Sequence, residues 1–338
     1  MSVREPRAAY FVAPREVELR SLPVSALAPE QVRVQTELSA ISAGTELLFY
    51  RGELETDVPV DAALPWAGTL AYPLRYGYAA VGCIVECGSA IDPKLRGRRV
   101  FGFHPHQEEL VERLDRLLMV PEHLPAERAA LWPNMETAVS LMMDGAPLVG
   151  EHVAVLGQGV VGQLLCALLA QSSAERVLAL DTRPERLTRS RALCGESRVA
   201  WQSAPATEDR GAYDLVYELT GDPRALDMAQ ALARYEGRIV VGSWYGKRRA
   251  EIDLGTHAHR NRNTWLFSQV SRIDSRHAGR FDAARRLGVA RAWLERLPLE
   301  QLVTHRYPFE QIAAAYRLLD ERREAVCQVL ITYGESAR

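Results

Sequence analysis

Apolar and polar positions fall into two regimes along the chain. In the first third, Val32-Arg-Val-Gln-Thr-Glu-Leu alternates apolar with polar, the period of a half-buried strand. Residues 78–85 are apolar and small, which predicts a second strand. Gly97-Arg-Arg-Val-Phe-Gly-Phe reads as a turn entering a third. Residues 52–73 carry three prolines and no periodicity, the pattern of a long loop. Near Pro125 the pattern changes. Residues 126–145 predict a helix interrupted at Pro133 and Asn134. Apolar strands over 152–156, 176–181, 215–219 and 237–243 follow, with an apolar helix over 160–171. Apolar strands alternating with helices predict a parallel sheet covered on both faces. Past residue 273 come two amphipathic helices, 280–287 and 309–321, and a closing strand, 326–332.

Composition narrows the function classes. The 338 residues are 47% hydrophobic and 25% charged, with a formal net charge of −2, so nothing points to nucleic acid or an anionic membrane. Lys94 and Lys247 are the only lysines, and the basic residues are otherwise arginine. No apolar run approaches the ~18 residues of a membrane span. The first twenty residues mix charges and prolines and lack the apolar core of a secretory signal. Cysteines 83, 87, 166, 194 and 327 are dispersed and odd in number, which argues for reduced thiols and a cytoplasmic protein. Cys83 and Cys87 alternate with apolar residues and read as small buried hydrophobes.

The sharpest chemical signal is Gly157-Gln-Gly-Val-Val-Gly162, directly after a strand and opening a helix. The first glycine permits a tight turn, the second lets backbone approach a pyrophosphate, and the third lets helix and strand pack closely. The helix N-terminus, with Val160 and Val161 in its first turn, favours negative charge. The next strand ends in Asp181, 19 residues after Gly162, where a carboxylate accepts hydrogen bonds from the adenosine ribose. That acid favours NAD(H) over NADP(H). Beyond it, Thr182, Arg183 and Arg186 adjoin the same position, and the two arginines are the alternative, as ligands for a 2′-phosphate. Ligands bind beyond the carboxyl ends of parallel strands, so Thr220-Gly221 and Gly242-Ser243 are expected to frame the cofactor. Trp244 and Tyr245 are candidates for a substrate pocket.

With these residues placed, the chain resembles the medium-chain dehydrogenase/reductase superfamily over nearly its whole length. The parts come in order: Ala43-Gly-Thr-Glu, Tyr76-Gly-Tyr-Ala-Ala-Val-Gly, Ala129-Ala-Leu-Trp-Pro-Asn-Met-Glu-Thr-Ala, the glycine fingerprint, and Leu302-Val-Thr-His-Arg-Tyr-Pro-Phe-Glu-Gln-Ile. The resemblance implies an α/β protein: a GroES-like β-rich catalytic domain from both chain ends, 1–145 and 273–338, and an inserted Rossmann doubly wound parallel sheet, 146–272. It also implies a homodimer, joined where the strand around 265–271 ends the Rossmann portion. The departures carry information. Zinc-dependent members have a cysteine where this chain has Ala43, and Gly-His-Glu where it has Gly77-Tyr78-Ala79. Neither alanine nor tyrosine replaces a thiolate–imidazole pair on zinc, and the four-cysteine loop of a structural zinc is missing, so no zinc is expected. His104 and His106, with Glu108 or Glu109, are an alternative metal set. The same histidines read otherwise as substrate or proton-relay contacts, or as surface loop.

Without a metal, a hydrogen-bond donor must polarise the reacting oxygen and exchange its proton. Tyr78 stands where the family's ligand histidine would be. Tyr50 lies near positions where zinc-free relatives place substrate-facing residues. Thr45 matches the family's proton-relay hydroxyl, and His104 is the fourth candidate. Asn134 and Thr137 resemble the pair that zinc-free quinone reductases set beside the nicotinamide, and Glu136 between them faces either the cleft or solvent. His305, in the C-terminal signature, has a structural role in the family. The expected activity is zinc-independent, NAD(P)-dependent hydride transfer on a secondary alcohol/ketone pair of a biosynthetic small molecule. Reduction of a quinone or enone is the second reading, and cofactor binding without turnover the third.

Overall fold

The computed structural model describes residues 5–55, 71–194, 199–321 and 326–334. Most of the predicted 52–73 loop lies outside the described residues. The chain divides into two compact units, Met1–Pro133 with Val303–Arg338, and Asn134–Leu302.

The first unit is built on a seven-stranded sheet. Its path runs Val303–Pro308, Gln328–Thr332, Gln31–Ile41, Ala80–Cys87, Arg99–Gly102 and Leu118–Met119, with Glu109–Arg113 paired to Gln31–Ile41. The predicted alternation at Val32 holds: Val32 and Val34 are buried and pack with Ala80, Ile84, Val100 and Leu110. The two C-terminal strands complete this sheet, since Val329–Thr332 pair antiparallel with Leu38–Ile41. A hairpin of Arg7–Ala13 and Glu16–Ser21, which the pattern at the N-terminus did not announce, bridges to the rest through Ala8–Gln107 and Phe11–Leu74. An aromatic core of Phe11, Phe49, Tyr50, Tyr76, Phe309 and Tyr316 fills the space between the hairpin and the helices Ala43–Arg51 and Ile312–Glu321.

The second unit is a six-stranded parallel sheet in the order Val199–Gln202, Arg176–Leu180, His152–Leu156, Tyr213–Glu218, Ala233–Val241, Thr264–Phe267. The chain starts in the middle, winds outward one way, then returns and winds out the other way. Ligands bind such sheets where the order reverses, here between His152–Leu156 and Tyr213–Glu218. The strands His152–Leu156, Arg176–Leu180 and Tyr213–Glu218 are buried on both faces over most of their length, which is why they read as continuous apolar runs.

The unit boundaries differ from the expected 145/146 and 272/273. The helix Trp132–Gly145 from Asn134 onward, and residues 273–302, group with the parallel sheet. A Cβ on Gly145 would stand 2.1 Å from the hydroxyl of Tyr217, so this helix end lies against the central strand. Ser268 bonds Asp144 at 2.5 Å, His277 bonds the Met143 carbonyl at 2.8 Å, and the Arg286 guanidinium meets Glu136 at 2.8 Å. These side-chain links join residues 124 to 150 positions apart, and spacing along the chain carries no trace of them.

Candidate active site

In the second unit the glycine fingerprint takes the shape its spacing requires. Gly157 sits at φ +93°, and a Cβ there would lie 2.7 Å from the Leu219 carbonyl. Gly162 passes so close to the fingerprint turn that a Cβ would fall 1.9 Å from the Gly157 oxygen. Gly159 is different: a Cβ there would meet nothing within 4 Å. Its missing side chain leaves open space at the start of the helix Val160–Ala170, whose N-terminus no side chain caps. Bare backbone N–H groups beside a vacated Cβ position fit a pyrophosphate. The loop is held from below. Gln158 is fully buried, and its side chain accepts a 2.8 Å bond from Ser190.

Asp181, at the end of the neighbouring strand, accepts from the Gln158 N–H at 2.8 Å and the Arg183 N–H at 2.9 Å. Arg186 turns toward it, with 3.5 Å between Nη1 and Oδ2. On the other side of the reversal point, Thr220 donates to Glu218 through its N–H at 2.7 Å and its hydroxyl at 2.5 Å. Tyr245 donates to the other Glu218 oxygen at 2.5 Å. Gly221 at φ +74° donates its N–H to Ser243 at 2.9 Å. Gly242 leaves no room for a side chain, since a Cβ would lie 2.5 Å from Leu219 Cδ2. The two loops expected to frame the cofactor are thus tied to each other.

In the first unit, the helix Ala43–Arg51 begins at Ser42, and two sets of polar groups meet there. The Tyr78 hydroxyl donates to Ser42 Oγ, and Thr45 follows in the first turn, its N–H 3.1 Å from the Ser42 carbonyl. Beneath them, Glu46 is fully buried and accepts from the Ser42 N–H at 2.7 Å, from the Tyr316 hydroxyl and from His106 Nε2 at 2.9 Å. The other ring nitrogen of His106 is 2.6 Å from Ser39 Oγ, which also contacts the Tyr333 hydroxyl at 2.9 Å. Gly77, at φ +130°, lies against this ring, where a Cβ would stand 2.8 Å from His106 Cδ2. Burial and the Glu46 carboxylate together push the Tyr316 hydroxyl well above its usual pKa.

Comparison with known proteins places this geometry. Residues 135–329, more than half of the chain, match the family described as glucose dehydrogenase C-terminus. The chain shares 30% identity over 253 residues with 2-desacetyl-2-hydroxyethyl bacteriochlorophyllide A dehydrogenase of Cereibacter sphaeroides, covering 70% of this chain and 74% of that protein. This protein is a medium-chain dehydrogenase/reductase. The D-guloside 3-dehydrogenase of Escherichia coli K12 is 25% identical to the dehydrogenase over 279 residues, 76% of this chain and 79% of that one. A solved structure of a short chain alcohol dehydrogenase (rspB) from E. coli CFT073, complexed with NADH, has the same fold. Its TM-score is 0.75 at 18% identity, over 97% of this chain and 99% of that one. The dehydrogenase is therefore a nicotinamide-dependent oxidoreductase with a GroES-like unit and a Rossmann unit.

The residues singled out in the sequence meet different fates. Within the Rossmann unit, Gly157, Gly159, Val160, Val161, Gly162, Asp181, Thr182, Arg183 and Arg186 lie on the fingerprint loop, its helix and the adjoining strand end. Thr220, Gly221, Gly242 and Ser243 lie on the two joined loops. Asn134 and Thr137 are half-buried on the helix Trp132–Gly145. Glu136, proposed for a substrate pocket, is instead buried against Arg286. The Tyr245 hydroxyl is committed to Glu218, whereas Trp244 is 46% exposed. In the GroES-like unit only Tyr78 and Thr45 share a location. Tyr50 is 4% exposed and stacks on Tyr316 in the aromatic core, which removes it as a proton donor to substrate. Its helix buries the consecutive run Glu46–Tyr50, so no amphipathic face announced this. His104 lies elsewhere, 3.5 Å from Glu112, on a groove of about 830 Å³ that Arg75, Gln107 and Arg116 also line. The bond to His104 holds the Glu112 carboxyl below its usual pKa.

The donors at the family's zinc position do not suit zinc. Ala43 and Ala79 offer no ligand atom, and the oxygens of Glu46 and both nitrogens of His106 are already bonded within the protein. The alternative set is dispersed: His104 faces Glu112, Glu108 pairs with Arg7, and Glu109 with Arg33. Among the described residues, no group of three His, Cys, Asp or Glu is placed to hold a metal ion. Sequence reasoning missed Glu46, Ser39, Ser42, Tyr316 and Tyr333. The Gly-Thr-Glu motif was the only hint of them.

Proposed function

We propose that the dehydrogenase works without zinc, using NAD(H) to interconvert a secondary alcohol and a ketone on a biosynthetic small molecule. One observation carries this reading: at the position where zinc-dependent members hold the metal, Tyr78 presents a phenol whose hydroxyl bonds Ser42 at the start of a helix. Bound nicotinamide supplies the hydride acceptor or donor. The protein's own part is to hold the reacting oxygen and exchange its proton. In the oxidising direction, the substrate hydroxyl gives its proton toward the Tyr78 oxygen, and the tyrosine proton passes to Ser42 Oγ and on to solvent. The helix N-terminus stabilises negative charge on this pair of hydroxyls. The C. sphaeroides and E. coli relatives are both named as dehydrogenases, one of a hydroxyethyl group and one of a sugar position, which supports an alcohol substrate. Arg186, drawn to Asp181, is held back from a 2′-phosphate, which supports NAD(H).

The reading extends to assembly and location. Thr264–Phe267 is the last strand of the parallel sheet, with Phe267 66% exposed, so a homodimer joined at this edge covers it. None of the five cysteines is joined in a disulfide, which suits the cytoplasm. Among the described residues, no helix is long and apolar enough to cross a membrane.

The test is turnover of a panel of secondary alcohols and enones with NAD+ and NADH, together with metal analysis of the same sample. Activity in metal-free protein, lowered roughly 100-fold in Tyr78→Phe with cofactor affinity retained, is expected. Stoichiometric zinc required for turnover would overturn the proposal. So would full activity of Tyr78→Phe.

A further inference from the structure

Glu218 ends the strand Tyr213–Glu218 and has no exposed surface. Each hydrogen bond it accepts comes from a neutral donor: the Thr220 N–H, the Thr220 hydroxyl and the Tyr245 hydroxyl. Arg248, which stands between Lys247 and Arg249 in this loop cluster, donates to the Gly221 carbonyl at 2.7 Å. Every side-chain partner that the structure gives this carboxylate among the described residues is an uncharged group. Its charge pushes the Tyr245 hydroxyl up in pKa, second to the effect of burial. Other buried carboxylates of this unit have cations: Glu136 has Arg286, and Asp209 has Arg176. A buried carboxylate without a cation is costly even when hydrogen-bonded, because the bonds satisfy its lone pairs but leave its charge.

The topology shows which part of a dinucleotide meets this charge. A doubly wound sheet holds the cofactor across its two halves. Asp181 marks the adenosine half, on the side of Arg176–Leu180. The nicotinamide half then falls to the loops after Glu218 and Val241. An oxidised nicotinamide ring carries a positive charge and a reduced ring carries none. We propose that Glu218 is a specificity-determining residue for the oxidation state of the cofactor, favouring NAD+ over NADH and so biasing the dehydrogenase toward alcohol oxidation. The inference rests on the dinucleotide reading of the fingerprint. Thr220 and Tyr245 hold the carboxylate in place, and the carboxylate in turn ties the two loops together.

The experiment measures dissociation constants for NAD+ and NADH on the full chain by titration calorimetry, for wild type, Glu218→Gln and Tyr245→Phe. Glu218→Gln keeps the shape and loses the charge. It should weaken NAD+ about tenfold, as expected for one charge acting through a partly screened interior, and change NADH less than about twofold. Tyr245→Phe keeps the charge and should leave the NAD+/NADH ratio near wild type. Equal weakening of both cofactors in Glu218→Gln would make Glu218 a structural prop and overturn the inference, as would an unchanged ratio. If Glu218→Gln does not fold, the double variant Glu218→Met/Tyr245→Phe decides: it removes the charge together with a donor that would lose its acceptor, and a ratio at the wild-type value overturns the proposal. Failure of the wild-type chain to bind either cofactor overturns the dinucleotide reading itself.

Discussion

Replacing Arg286 by methionine gives the most direct measure of what holds the Rossmann unit to its flanking helices. Arg286 Nη2 and Nε lie 2.8 and 3.1 Å from one oxygen of Glu136, and the same Nη2 is 2.6 Å from the Val270 carbonyl. The two side chains are 5% and 8% exposed, so solvent screens them little. Methionine fills most of the volume but leaves Glu136 with a buried charge and no cation, and breaking such a pair costs about 3–5 kcal/mol. The pH dependence has a definite sign. Burial raises the Glu136 pKa above its ordinary 4.5, while Arg286 opposes the shift. An acid that binds its proton more tightly in the native state loses stability as pH rises from its unfolded value through its folded one. Arg286→Met removes the opposing group and widens that window upward. Urea unfolding followed by tryptophan fluorescence should therefore show the full loss near neutral pH and a smaller one in more acidic buffer, where Glu136 gains a proton. The double variant Glu136→Leu/Arg286→Met should regain most of the loss. A penalty under about 1 kcal/mol, or one that does not change with pH, would refute this account of the pair.

Four further outcomes follow from the geometry. Gly157→Ala should lower the melting temperature by several degrees, because φ +93° and the Leu219 carbonyl both oppose a Cβ. Gly159→Ala should leave thermal stability unchanged and weaken NADH binding roughly tenfold or more, read by fluorescence titration. His106→Ala removes bonds to Glu46 and Ser39 and opens a cavity, for an expected loss of about 2–4 kcal/mol in chemical denaturation. Asp181→Ala should raise the dissociation constant for NAD+ and narrow its advantage over NADP+, and an unchanged cofactor preference would remove Asp181 from the ribose site.

What could be read in advance depended on whether a feature is local. The fingerprint is six residues long, and each glycine answers a constraint within one turn, so it was legible. The missing zinc ligands were equally so, because Ala43, Tyr78 and Ala79 stand inside recognisable motifs. The network around Glu46 was not. Ser39 and Tyr333 are 294 residues apart, and Tyr316 lies 270 from Glu46. Only the register of Gln328–Thr332 against Gln31–Ile41 brings such residues together. His106 offered a metal-like pattern with His104, but across Pro105 the two rings meet different neighbours, His104 meeting Glu112 and His106 meeting Glu46 and Ser39. The pairing of Glu136 with Arg286, 150 residues apart, was hidden for the same reason.

The Asn134–Leu302 unit is one uninterrupted stretch of chain, while the unit around it needs strands made first and strands made last. On the ribosome, the parallel sheet can therefore close as soon as its final helices emerge. Only the Leu38–Ile41 end of the strand Gln31–Ile41 must meanwhile wait for Val329–Thr332, because Gln31–Gln35 pair with Glu109–Arg113, made much earlier. Nascent-chain exposure, and the need for a chaperone, should fall on the earliest-made third of the polypeptide.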